Sequence, residues 1–250
     1  MGFNDFILIA GGMLAGIINT LAGNGSVITL SLCTELIGLS PSIANGTNRL
    51  GILTQSIAGT WSLHRSGKLL LAGTGRAIVL VTLGALTGIW IATLVNDDQF
   101  RQWYPWFLVF IFIVLVLKPE RWLKADLNVV SREAWYLFPI YFLIGVYGGF
   151  IQIGVGVFFL AAMIVLARKP WQNANAAKIL VTGLFTFFAV IIFQSRGLFD
   201  LKTALYLALG QTFGAWLGVK YLNHYAHAHK ASYYILLVIT GFTIIRQFFF

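Results

Sequence analysis

Arg49 and Lys178 are the residues of this sequence best placed to do chemistry, because each lies inside an apolar stretch. The stretches are "PSIANGTNRLGILTQSIAGTW" (41–61) and "PWQNANAAKILVTGLF" (170–185). Proline is natural at a helix start, so Pro41 and Pro170 predict helices that begin there. Both charges then sit about 7 residues in, roughly 10 Å deep at about 1.5 Å per residue. A charge at that depth costs at least about 2.5–3.5 kcal/mol. A water-filled cavity or an anionic solute would offset that cost. The competing readings are snorkelling to the interface and capping of backbone carbonyls at helix breaks. Asn45, Asn48 and Asn175 cluster on the same helix starts, with Thr47 and Gln152 nearby. Their amides and hydroxyls suit an oxyanion without adding a second buried charge, or they cap helices and bond neighbouring helices.

Two glycine-rich breaks stand beside these helices: Gly23-Asn24-Gly25-Ser26, and Gly154-Val155-Gly156. Each opens a short apolar segment, and a helix N-terminus presents free N–H groups and about half a positive charge. Asn24, Gly25, Ser26 and Gly154 are therefore candidate anion ligands together with Gln152; the plainer reading is a tight turn at a re-entrant tip. "GNGS" is no dinucleotide fingerprint, since no strand precedes it and the third glycine is missing. Glu35 is the one acidic residue inside an apolar segment. It would serve as a proton-coupling site or pair structurally with an arginine, and the structural reading is favoured. "HYAHAHK" (224–230) holds three histidines without an accompanying Cys or acidic residue, so a solvated basic loop outweighs a metal site. No metal, cofactor or hydrolytic cluster is expected, and the chain does not read as an enzyme.

These groups need elements that live in lipid. Of 250 residues 58% are hydrophobic and 10% charged, against roughly 25% charged in a soluble domain; mean hydropathy is +0.83. Too little charge is present to cover a water-facing surface. Runs such as 77–95 and 176–193 approach or reach the roughly 20 residues that cross a bilayer, and their unbroken apolarity excludes a barrel. The fold expected is an all-α polytopic membrane protein. No basic residue precedes the first apolar run, so residues 6–22 read as a membrane helix and not a cleaved signal. Cys33 stands alone, which excludes an intramolecular disulfide framework. The net charge of +9 falls mostly in short loops, the positive-inside pattern; lipid is the expected partner and nucleic acid is not.

Ten segments emerge, near 4–22, 26–39, 42–63, 74–95, 103–117, 134–150, 155–167, 171–195, 199–222 and 232–249. The charged linker 118–133 divides a repeat over 1–117 from a second over 134–250. "ANGTN" (44–48) returns as "ANAAK" (174–178), Gly84-Ala85-x-x-Gly88 as Gly214-Ala215-x-x-Gly218, and Gly67 as Gly197, all 130 residues on. Gly16, Gly25 and Pro41 match Gly145, Gly154 and Pro170 at 129, so one gap after the proline reconciles the series. Five crossings per repeat is odd, which predicts inverted-topology repeats. Loop charge puts 64–76, 118–133, 168–169 and 220–230 in the cytoplasm and both termini outside it. The short segments near 22–39 and 148–167 reach only about 20 Å; short, glycine-interrupted segments at matching places point to a transporter's binding site. The stripes Gly84/Gly88 and Gly210/Gly214/Gly218 fit helix packing or a homodimer contact.

The broken first hairpin, "SPSIANGTNRLG", the GA-x-x-G helix and their counterparts "NANAAK" and "GQTFGAWLG" resemble the TauE/SafE family of sulfite and organosulfonate exporters. The resemblance covers nearly the whole chain, most specifically 16–67 and 145–218. It implies a permease for sulfite, short organosulfonates or related small anions, set in the cell inner membrane. The inverted repeat and the two charges at depth add the expectation of alternating access about a midplane site between the repeats. An anion channel, or a carrier of another small carboxylate or sulfur anion, uses the same residues. If Arg49 binds the anion, Arg49→Ala stops flux and leaves the protein folded.

Overall fold

The computed structural model describes residues 2–21, 23–117, 134–222 and 226–249. The linker 118–133 with Trp122, and the histidine side chains of 224–230, lie outside what it describes. Two helices open the chain: α1 (Phe3–Leu21), then α2 (Ser26–Ser31), which widens into a π-helical turn over Leu32–Leu36. Next come α3 (Pro41–Arg65), α4 (Gly75–Leu94) and α5 (Asp97–Val116). The later half runs through the same sequence of elements: α6 (Leu137–Phe150), α7 (Val155–Ala161) with a π-helical turn over Ala162–Leu166, α8 (Trp171–Ser195), α9 (Leu201–Leu217) and α10 (Ala226–Phe249). No strand occurs among the described residues.

Local chemistry sets several boundaries. Pro41 takes the first position of α3, where its missing N–H costs nothing, and the Ser40 side chain accepts from the Ile43 N–H. Pro170 sits one place earlier, as the N-cap residue of α8. Thus α3 and α8, each 25 residues long, stand 130 apart, as do the two π-helical turns. Gly38 and Arg168, at the same spacing, both take left-handed backbone. The one-residue step therefore falls before the π-helical turns, where α7 has seven residues and α2 has six, and not after the proline. Residue by residue, Lys178 corresponds to Asn48, and Arg49 corresponds to Ile179. The sequence reading also starts α5 too late, at 103. Asn96 caps it in a reciprocal pair with Gln99, so the helix begins at Asp97, ahead of its apolar run.

Five helices are long and apolar enough to cross a bilayer: α1, α4, α5, α8 and residues Ala231–Phe248 of α10. At 25 residues α3 is also long enough, about 37 Å at 1.5 Å per residue. Its polar residues keep it off that apolar set, and the fold shelters them: Asn45, Asn48, Arg49, Gln55 and Ser56 are all buried. The outer faces carry large exposed apolar side chains, among them Phe187, Phe213 and Val238, as a lipid-facing surface requires. Trp61, Trp90, Trp106 and Trp135 are likewise exposed, which suits interfacial anchors.

The halves interlock by exchanging first helices. α1 lies along α9 of the later half, and α6 lies along α4 of the earlier half. Glycine makes both contacts possible. A Cβ on Gly84 or Gly88 would stand 2.0 Å from the carbonyl oxygen of Phe142 or Val146, and one on Gly214 2.0 Å from that of Met13. The stripes are thus occupied by packing inside the chain. Gly88→Ala should therefore force α4 and α6 apart and cost about 1–3 kcal/mol, the usual range for overpacking. Thermal denaturation in detergent checks this, and an unchanged midpoint would refute it.

Candidate functional site

The two breaks meet in the middle of the molecule. Gly23 and Gly154 both have left-handed backbone, with φ of 80° and 71°, which glycine adopts at no steric cost. A Cβ on Gly156 would lie 2.6 Å from the Gly23 carbonyl oxygen, so no larger residue fits there. Gly25 is equally confined, its would-be Cβ 2.0 Å from the Ala15 carbonyl oxygen.

Where a helix stops at such a break its last carbonyls lose their partners, and α3 supplies replacements for α6. Arg49 Nη1 donates to Gly148 O at 2.9 Å, and Nη2 to Gly149 O at 2.8 Å. Asn45, one turn earlier, donates from Nδ2 to Phe150 O at 2.9 Å. Asn45 and Arg49 are four residues apart, which stacks them on one face of α3, and Arg49 Nη2 also donates to Asn45 Oδ1 at 3.2 Å. Arg49 Nη1 donates further to the Gln152 Oε1 in the break itself. The guanidinium lies 5.3 Å from the Phe193 ring centroid and is wholly buried. Of the readings the sequence left open for Arg49, the structure displays carbonyl capping.

Lys178 does related work for the other half. Its Nζ donates to Asn19 O at 3.3 Å and Thr20 O at 3.2 Å, two carbonyls near the end of α1. An ammonium has three N–H donors, and these long bonds take two. Lys178 also faces a cavity lined by Asn19, Thr20, Ser26, Gln55, Ser56, Gly59, Gln152, Val155, Gly156, Ile179 and Thr182. Both halves contribute: α1, α2 and α3 on one side, the break before α7 and α8 on the other. The lining holds one cation, amides and hydroxyls, and no carboxylate. The centre of a water-sized sphere has about 20 Å³ to move in, room for one water or one compact group of the same order of size.

Of the candidate residues, Lys178, Ser26 and Gln152 line this cavity. Arg49, Asn45, Asn48, Asn175, Asn24, Gly25 and Gly154 do not. Asn48 Oδ1 accepts from Thr29 Oγ1 at 2.7 Å and from Gln211 Nε2 at 3.2 Å, joining α3 to α2 and α9. Thr47 caps α9 by accepting from the Asp200 N–H at 2.9 Å. Asn24 is fully buried with neither amide atom bonded among the described residues, and Asn175 Oδ1 is likewise without a partner. The sequence reading missed Gln55, Ser56, Asn19 and Thr182 as lining residues. Gln55 carried a signal, being a polar residue two turns beyond Arg49 in a lipid-length helix.

Glu35 does not line the cavity. Its carboxylate pairs with Arg246 Nε at 2.7 Å and accepts from Gln247 Nε2, while Ser31 and Thr243 hydroxyls bond at 2.8 Å one turn away. These bonds tie α2 and its π-helical turn to the end of α10. The Arg246 side chain is 47% exposed, so the pair is worth little, at most about 1 kcal/mol. Glu35→Gln should keep flux and its proton dependence within about twofold of wild type; loss of proton-driven flux would reinstate Glu35 as a coupling site.

Apolar helices of bilayer length, lipid-facing side chains and a polar interior between two halves define a multi-pass helical membrane protein. The chain belongs to the sulfite exporter TauE/SafE family, whose model matches residues 8–244. It is a membrane transporter of that family. Similar proteins include a "probable membrane transporter protein ORF9" of Sinorhizobium sp, 29% identical over 86% of this chain and 82% of the relative. Others are "probable membrane transporter proteins" YunE of Bacillus subtilis, 26% identical over 85% and 86% of the two chains, and YfcA of Escherichia coli K12, 26% identical over 82% and 76%. No solved structure matches significantly.

Proposed function

We propose that the protein carries a small anion across the membrane, one molecule at a time, with the Lys178 cavity as its resting place. The observation that carries this reading is the cavity lining: a buried ammonium with amide and hydroxyl donors and no carboxylate. A lone buried cation is costly unless it is paired, and an anionic solute is the missing partner. The family's name directs the choice of substrate to sulfite or a short organosulfonate. The space as it stands has room for a water, so a sulfite-like headgroup is taken up as the halves part around it, and an organosulfonate would need its tail to extend further. Exchange of first helices between the halves supports an inverted-repeat construction, in which one half rocks against the other and exposes the cavity to each side in turn. A reporter fused after Phe250 should then lie outside the cytoplasm; a cytoplasmic reporter breaks the inverted scheme.

Purified protein in liposomes, offered sulfite, sulfoacetate, taurine, sulfate and acetate under imposed pH and voltage gradients, tests the reading directly. Saturable sulfite or sulfonate flux at carrier rates is the expected result. Single-channel currents would replace the carrier with an anion channel, and flux of none of these anions would overturn the proposal.

A further inference from the structure

We infer that Arg49 acts on the transported anion without touching it, by holding Gln152 so that the amide N–H donors face the Lys178 cavity. This rests on the cavity being the anion's resting place. Arginine has donors only, so the end of the Gln152 amide that meets Arg49 Nη1 must be the oxygen. The amide nitrogen is thereby turned away from Arg49. It has no partner among the described residues, and Gln152 lines the same cavity as Lys178. Arg49 is itself immobilised by Gly148 O, Gly149 O and Asn45 Oδ1, and its Nε–H is already buried without a partner, so a flip of the amide would orphan a second guanidinium N–H and set N–H against N–H. Gln152 has little freedom to move otherwise: Ile151 and Ile153 on either side are fully buried, and Gly154 follows in a left-handed turn.

The consequence is a site with a fixed polarity. An unrestrained glutamine presents either its oxygen or its nitrogen and so tolerates a cation or an anion equally. Locked by Arg49, Gln152 presents N–H groups alone, beside the Lys178 ammonium. Gln152 is then a specificity-determining residue, and Arg49 a positioning residue that also caps α6. Two fixed donors and a charge suit a pair of oxygens on one centre, as in sulfite or a sulfonate headgroup.

The test is a double-mutant cycle read as the dissociation constant for sulfite, measured by calorimetry on the detergent-solubilised protein, with thermal denaturation to confirm folding. The variants are Gln152→Met, which keeps the length and removes the amide, and Arg49→Lys, with Arg49→Gln as a second substitution at that position. Gln152→Met should weaken sulfite binding about tenfold or more, the scale of a hydrogen bond to a charged group. Each folded Arg49 variant should weaken it severalfold in the wild-type background and hardly at all on top of Gln152→Met. A purely structural Arg49 would instead give effects that multiply, because loosening α6 does not depend on the amide. Multiplying effects, or wild-type affinity in Gln152→Met, would overturn the inference alone. Lys178→Met separates the underlying reading: wild-type sulfite affinity in that variant, or no sulfite binding by the wild-type protein, would overturn the cavity itself and this inference with it.

Discussion

Lys178→Met should abolish anion flux and leave the protein folded. Lys178 is the one charged residue in the lining of the central cavity, and 4% of it is exposed. Methionine matches its length and slots into the same channel between α1, α3 and α8. The substitution gives up two long hydrogen bonds to Asn19 O and Thr20 O; Asn19 O keeps the Gly23 N–H, so the cost is one buried carbonyl, about 1–3 kcal/mol. It also removes a buried charge with no carboxylate partner in the lining, and relief of the desolvation cost of such a charge offsets that loss. The thermal midpoint should therefore move little. Binding loses both its counter-charge and a charge-assisted donor, which are worth about 1.5–3 kcal/mol, so affinity should fall about tenfold to a hundredfold and flux below detection at low substrate. Lys178→Arg should recover part of the flux. Undiminished transport by Lys178→Met would remove the cavity from the mechanism.

Arg49→Ala should instead cost the fold. Two α6 carbonyls would be left without donors at a buried break, at about 1–3 kcal/mol each. A side chain that fills space against Phe193 would vanish as well. With the lost packing added, the total is of the order of 3–5 kcal/mol, the sum of orphaned buried carbonyls and a large-to-small truncation. Little folded protein should be recovered from membranes, and what survives should melt at a markedly lower temperature. Arg49→Lys should retain more, because an ammonium can still reach a carbonyl, though without the fork that serves Gly148 and Gly149 together. This reverses the outcome expected from sequence alone, in which Arg49→Ala stays folded and only transport is lost. A normally folded Arg49→Ala protein with no flux would restore direct anion binding by Arg49.

The sequence made the architecture legible because lipid imposes simple rules. Apolar length marked the crossings, Pro41 and Pro170 marked where α3 and α8 begin, and glycine clusters marked both breaks. Charge at depth drew attention to Arg49 and Lys178, and both are buried at the centre. What each charge faces was not legible, since capping carbonyls on α6 and lining a cavity look identical in one dimension. The gap's position was obscured because matched glycines and prolines do not occupy matched roles: Pro41 is the first residue of its helix, whereas Pro170 precedes its helix. The paired Asn96 and Gln99 were a readable helix start, overlooked because apolar runs alone were used to set boundaries. Gln55 and Asn19 were hidden for another reason. An uncharged polar residue in a membrane helix is common enough that only its neighbours across the fold single it out.

The swap of first helices bears on how the chain is made. Gly12 and Gly16 of α1 are shaped to receive the backbone of α9 near Leu207 and Gln211, which leaves the ribosome about 200 residues later. At about 5–20 residues per second, that interval is about 10–40 s. Until then the small-residue groove of α1 lacks the helix that fills it in the finished fold. The contact that joins the chain's first helix to the rest can thus close only when the final third of the chain arrives.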